Sequence, residues 1–235
     1  MDSNAAKMKL LTDPDYFLKY YPVKCEGSAV PNPNGVNLLQ YYINKQGVGE
    51  ARFPNEKLGH KGATRPGSIS GYKHEISSFI LNPRTSAGSA IIAAHVVPMV
   101  NYNSTDFGCP NLNANIAAMD HYTLDNTGDG LMVTGELSGC CFCWLLHGHE
   151  LWCVHVRPIA GISSESLQAQ LNATGRFNND LTALNTYGKN DYNNQNASVI
   201  GVRSGGVWKI YAQTSNDLFR TISGAYRLYP DRIRL

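Results

Sequence analysis

Four of the six cysteines crowd into residues 140–153, with histidines at positions 147, 149 and 155 among them. The segment reads Ser138-Gly139-Cys140-Cys141-Phe142-Cys143-Trp144-Leu145-Leu146-His147-Gly148-His149-Glu150-Leu151-Trp152-Cys153-Val154-His155. Two apolar runs flank a polar His-Gly-His-Glu tip, the pattern of an antiparallel β-hairpin. With Gly148 and His149 as a two-residue loop, opposed residue numbers sum to 297, so Phe142 faces His155 and Cys140 faces Arg157. Side chains alternate between faces along a strand, which puts Cys140, Phe142 and Trp144 on one face with Cys153, His155 and Arg157. Cys140 and His155 are then diagonal neighbours, about 7–8 Å apart along the backbone and closer at their tips. A loop of odd length would reverse the parity and bring Cys141 beside His155 instead.

A thiol beside an imidazole can perform nucleophilic acyl chemistry: the sulfur attacks, and the ring takes and later returns a proton. A neighbouring cation also favours the thiolate. Ser138-Gly139 supplies a small, bendable approach whose amide N–H groups can face an oxyanion. Other readings stand beside this one. Cysteines in apolar strands commonly fill core, the default for Cys141, Cys143 and Cys153. Cys140, Cys141, Cys143, His147, His149, Cys153 and His155 also offer soft ligands for zinc, although no Cys-x-x-Cys pair is present and side chains on a hairpin face splay rather than converge. His95, in Ala94-His95-Val96-Val97-Pro98, with Asn101 and Asn113 downstream, suits a one-metal nuclease but lacks the usual acidic and glycine context, so packing is its expected role.

The elements that must position these residues are strands. Ile76–Leu81, Ala90–Val97, Leu131–Gly135, Cys140–Leu146, Leu151–Arg157 and Thr221–Tyr229 read as strands, and Ser198–Arg203 with Val207–Gln213 as a hairpin around Ser204-Gly205-Gly206. Asp13-Pro14 opens a short helix that Pro22 ends, and Ser163 opens another that Gly175 stops. Residues 36–44 fit strand or helix. Residues 45–73 read as a long surface segment, 101–129 as loop with a short helix near Asn113–Met119, and 172–197 as irregular. The fold class expected is α+β: a β-sandwich-like core of mixed sheets with peripheral helices and long loops.

Composition narrows the function classes. The 235 residues are 16% charged and 43% hydrophobic, with a net charge of +2 and 13 Tyr. A charge that near zero argues against a nucleic-acid binder working through a basic surface, and the composition is not that of a disordered chain. No run reaches the ~20 apolar residues of a membrane helix, and Met1–Leu11 does not read as a secretory signal. The sequons at Asn103, Asn172 and Asn196 therefore carry little weight. The six cysteines, Cys25 and Cys109 included, are too clustered for a disulfide scaffold.

Leu137-Ser138-Gly139-Cys140, followed fifteen residues later by His155 on the next strand, resembles the bacterial glutamine deamidase toxins, the group of the cytotoxic necrotizing factor catalytic domain and Burkholderia lethal factor. Thr134 stands six positions before the cysteine, where the lethal factor has a supporting Thr. A looser likeness covers Thr186-Tyr187-Gly188 and the 199–213 hairpin; residues 1–130 carry none. The resemblance implies one catalytic domain over 1–235 with its deamidase-like core at about 75–235. It implies Cys140 as nucleophile, His155 as base and Thr134 in support, with backbone N–H groups at Ser138, Gly139 and Cys140, helped by Thr134, holding the oxyanion. It implies conversion of a glutamine in a host protein to glutamate with no cofactor. Small GTPases and a translation-initiation helicase are the precedents for the target. It further implies a monomer, without nucleic-acid or membrane partners, secreted or injected by a bacterium and acting in the host cytosol. At this length, delivery by an injection apparatus or a separate partner is expected. A transglutaminase, a cysteine peptidase and a zinc-binding interaction module are the alternatives.

Overall fold

A computed structural model describes residues 1–27, 37–52, 73–101, 117–119, 121–177, 180–193, 195–215 and 221–235. Cys109, Asn103, Asn113 and most of the short helix expected at Asn113–Met119 lie outside them.

Two helices open the chain, α1 (Ser3–Thr12) and α2 (Pro14–Tyr20), capped by the Asp2 and Asp13 carboxylates. The strands β1 (Val23–Cys25), β2 (Leu38–Arg52), β3 (Lys73–Asn82), β4 (Ala90–Val96), β5 (Met99–Asn101), β6 (Ala117–Met119), β7 (Tyr122–Leu124), β8 (Leu131–Val133), β9 (Cys141–His147) and β10 (Glu150–Arg157) follow. Then come α3 (Ser164–Thr174), β11 (Gly175–Phe177), β12 (Asn185–Tyr187), α4 (Lys189–Tyr192), β13 (Asn196–Ser204), β14 (Val207–Ser215), β15 (Thr221–Tyr229) and β16 (Ile233–Arg234).

Among the described residues, a nine-stranded sheet runs β1-β3-β2-β4-β8-β13-β14-β15-β16 and curls until β15 also pairs with β2. A five-stranded sheet runs β12-β9-β10-β5, with β7 sharing the outer edge of β10. The large sheet is apolar on both faces. Leu131, Val133, Ile200, Val202 and Tyr211 pack with Ala6, Leu10, Phe17 and Leu18 of α1 and α2. Met132, Val199, Ile210 and Ala212, one residue out of phase, pack with Phe142, Trp144, Leu151 and Cys153 of the second sheet. The far face of that second sheet, including Cys141, Cys143, Trp152 and Val154, is covered by Leu167 and Leu171 of α3. The layers are therefore helices, curled sheet, second sheet, helix, an α+β sandwich as the strand-rich sequence predicts.

Three expectations about elements change. Residues 45–52 are not surface loop: β2 continues to Arg52 and pairs along its length with β3. The described end of the helix expected at Asn113–Met119 is instead the strand β6, Ala117–Met119. The stretch expected to be irregular holds β11, β12 and α4.

The hairpin register is the one derived from the two-residue loop. His155 pairs with Phe142 and Val156 with Cys141. Gly148 has φ +60°, and His149 does not share a positive φ. This is the arrangement of a II′ connection, whose first central residue must enter the region glycine tolerates.

Candidate functional site

Two segments cross from the curled sheet to the second sheet side by side. β4 and β8 are parallel neighbours, Val96 beside Val133. Beyond β4, Val97-Pro98 leads into β5; beyond β8, residues 134–140 lead into β9. His155 lies where both crossings pass. β10 meets β9 on one side and β5 on the other, with His155 paired to Phe142 and to Met99.

His155 is fully buried. Its Nδ1 lies 2.7 Å from the Thr134 hydroxyl, which in turn donates to the Val97 carbonyl at 2.9 Å. The carbonyl can only accept, so the single hydroxyl proton goes there, and the ring must donate Nδ1–H to Thr134 Oγ1. That fixes the tautomer: Nε2 carries the lone pair. Nε2 is buried and makes no hydrogen bond. The ring's Cε1 edge lies against Gly135, where an added Cβ would sit 4.0 Å from it.

The crossing segment is clamped along its length. Leu137 exchanges both backbone hydrogen bonds with Ala197. Ser138 is exposed, and its carbonyl accepts from Lys189 Nζ at 3.4 Å. Gly139 lies so close to α3 that a Cβ would come within 2.9 Å of Ser164 Oγ. The Cys140 carbonyl accepts from the buried Tyr192 hydroxyl at 2.8 Å. Cys140 is buried, and its thiol points at the Met99 thioether, Sγ to Sδ 3.9 Å. Met99 is itself 47% exposed, so it covers the thiol at the protein surface.

Cys140 and His155 thus share the face that looks toward the curled sheet, whereas Cys141 and Cys143 lie on the α3 side. The bond from thiol to Nε2 is not made in this structure. Burial pushes the Cys140 thiol up to about 11, against a lowering by the nearby Arg157, and burial holds His155 down to about 3. At neutral pH the pair is therefore thiol and neutral imidazole, not thiolate and imidazolium. A neutral ring with a bare Nε2 has the lone pair that a general base needs, although a ring held near 3 takes the proton of a thiol held near 11 only uphill.

The structure reassigns one role. Thr134 has no proton left for an oxyanion, because its hydroxyl is committed to Val97 O; it orients the ring instead. The Val97 carbonyl, Met99 and Tyr192 are parts of the site that the sequence did not reveal. Pro98, which ends β4 just after Val97, was the available signal for a chain turning there.

The other candidates separate. The soft ligands split between two faces and the hairpin tip, where His147 bonds Asp180 at 2.7 Å and stacks on Trp152. Among the described residues no group of three or more His, Cys, Asp or Glu is placed to hold a metal. His95 is fully buried, with Nδ1 on the Tyr122 hydroxyl at 2.9 Å and Nε2 on the Thr127 carbonyl at 3.2 Å, a satisfied packing histidine.

Neither the family models nor the curated proteins compared with the chain give a match. The site's chemistry therefore rests on its own geometry.

That geometry has a thermodynamic consequence. Burial lowers His155 to about 3 and also lowers His95, each from 6.5. Below pH 6.5 the unfolded chain takes up protons that the folded chain refuses, until the pH nears 3. Stability is thus full above 6.5 and falls through this window, by roughly 1.4 kcal/mol per pH unit for His155 alone. Urea midpoints should drop steadily from pH 7 to pH 4, and His155→Gln should flatten that decline.

Proposed function

We propose that this chain is a thiol hydrolase that deamidates a glutamine side chain in another protein. Cys140 is the nucleophile, His155 the general base and acid, and Thr134 with the Val97 carbonyl the group that holds the ring. The observation that carries this reading is the unpartnered Nε2 of His155. An unpaired buried polar atom costs about 1–3 kcal/mol; His155 Nε2 is one of several among the described residues, Asn37, Tyr187 and Ser215 supplying others. His155 is set apart by its place: it shares a face of the second sheet with Cys140, paired with Phe142, two positions along from that cysteine.

The steps follow from the protonation states. Cys140 Sγ attacks the glutamine amide carbon while its proton passes to His155 Nε2. The carbon–nitrogen bond breaks as Nε2 returns that proton, and ammonia leaves. Water then attacks the thioester, losing a proton to Nε2, which gives it back to the departing sulfur. The product is glutamate and the enzyme is regenerated. A free Met99 side chain, flexible and half-exposed, can swing aside to admit the amide.

The resemblance of Leu137-Ser138-Gly139-Cys140…His155 to the bacterial deamidase toxins supports a protein substrate in a host cell and a toxin or effector role. A glutamine that positions water in a GTPase is a target whose conversion to glutamate would disable turnover. The test is incubation of the purified chain with host proteins, following ammonia release and peptide masses. Ammonia with a glutamine-to-glutamate mass change at one site is the expected result. New chain termini would mean a peptidase, amine incorporation without ammonia-to-acid exchange a transglutaminase, and no covalent change would remove the enzyme reading.

A further inference from the structure

We propose that Arg157, set opposite Cys140 across the β9–β10 hairpin and tethered by Asn101, is the cation that stabilises the Cys140 thiolate. This rests on Cys140 being the nucleophile. One step beyond the last ladder pair, Val156 with Cys141, the register brings Arg157 beside Cys140. On its other side Arg157 pairs with Asn101 of β5, and its Nε donates to the Asn101 side-chain oxygen. Arg157 is exposed. A tethered side chain keeps its charge in one place, whereas a free arginine would sample solvent.

The surroundings leave this position to Arg157. His155, the nearest imidazole, is neutral and cannot act as a cation. Cys141 points to the opposite face. The Tyr192 hydroxyl bonds the Cys140 carbonyl, and Lys189 bonds the Ser138 carbonyl. Glu165, in the first turn of α3, is the acidic residue of that helix end. Arg157 is the basic group whose field favours ionised Cys140. A thiol held in thiol form by burial, with a fixed guanidinium beside it, ionises as the substrate arrives rather than at rest. Arg157 acts through Cys140 and is a positioning residue for its charge.

The test uses iodoacetamide, a neutral reagent that an arginine cannot steer, on the full chain, with Cys140 alkylation followed by peptide mass. Arg157→Gln is expected to slow alkylation at pH 8 about tenfold, the thiolate fraction lost for one pKa unit. The deficit should stay near tenfold up to about pH 10 and shrink only as the pH passes about 11, where the wild-type thiol ionises. Added salt should slow the wild type but not Arg157→Gln, because an exposed charge is screened. Arg157→Lys should recover part of the rate. Equal rates in wild type and Arg157→Gln, equal slowing in the Lys and Gln variants, or a deficit constant at every pH would overturn the proposal, the last meaning a changed mouth rather than a changed charge. The readout needs no glutamine substrate. A wild type that releases no ammonia from any protein would remove the deamidase reading and leave this result standing.

Discussion

Cys140→Ala is expected to give a folded protein that releases no ammonia, with activity down by about 10⁴-fold or more. The sulfur is the atom that bonds the substrate carbon, and nothing else on that face can replace it. Cys153 shares the face but is wholly buried, and Cys141 and Cys143 look toward α3. The fold should survive, because a single sulfur is removed from a residue that packs in the core between the sheets and lies against the Met99 thioether, at a cost of about 1 kcal/mol. Circular dichroism and urea unfolding check that clause independently of activity. Cys141→Ala is the control. It removes a fully buried thiol and should lower stability more than Cys140→Ala does, yet keep the rate within a few-fold. A dead Cys141 variant beside an active Cys140 variant would place the nucleophile on the α3 side and exclude His155 as its base.

How much of this site can be read from the chain depends on how local the determinants are. The hairpin register is legible because one glycine fixes a two-residue loop, and from the loop every facing pair follows; Phe142 opposite His155 is the outcome. The β13–β14 hairpin is legible for the same reason, with Gly205 and Gly206 both at positive φ. α2 is legible because Asp13 caps it and Pro14 occupies the first turn. The second half of β2 is not. Apart from Val48, residues 45–49 are polar or glycine, and their strand state depends on pairing with β3, whose partner residues lie about thirty positions away. α1 is hidden likewise, since only Ala6 and Leu10, with Ser3, go inside, too few for a visible apolar stripe. Within the site, the tautomer of His155 could not be read at all. It depends on Thr134 and the Val97 carbonyl, which belong to two crossings brought together by the parallel pairing of β4 with β8. A diagonal on a hairpin can put a thiol near a ring; only the tertiary fold decides which nitrogen of that ring is bare.

That dependence makes Thr134→Val the sharper experiment. Valine keeps the shape of threonine and removes the hydroxyl, so both Nδ1–H of His155 and the Val97 carbonyl lose their partner in a buried place. Each unsatisfied group costs about 1–3 kcal/mol, so unfolding should begin at distinctly lower urea. Without the hydroxyl, Nδ1–H has no acceptor, and the ring is free to carry its proton on Nε2 instead. That tautomer has no lone pair on Nε2, and proton acceptance there fails. General-base assistance is worth about 10²–10⁴-fold, and kcat should fall by that order while the iodoacetamide reactivity of Cys140, which needs no base, changes little. Thr134→Ser retains the hydroxyl and should restore both stability and rate. A Thr134→Val enzyme that is less stable yet fully active would show that the hydroxyl only packs the crossing, and His155 would then lose its claim to be the base, since an imidazole free to take either tautomer would be doing the chemistry as well as one locked in the productive form.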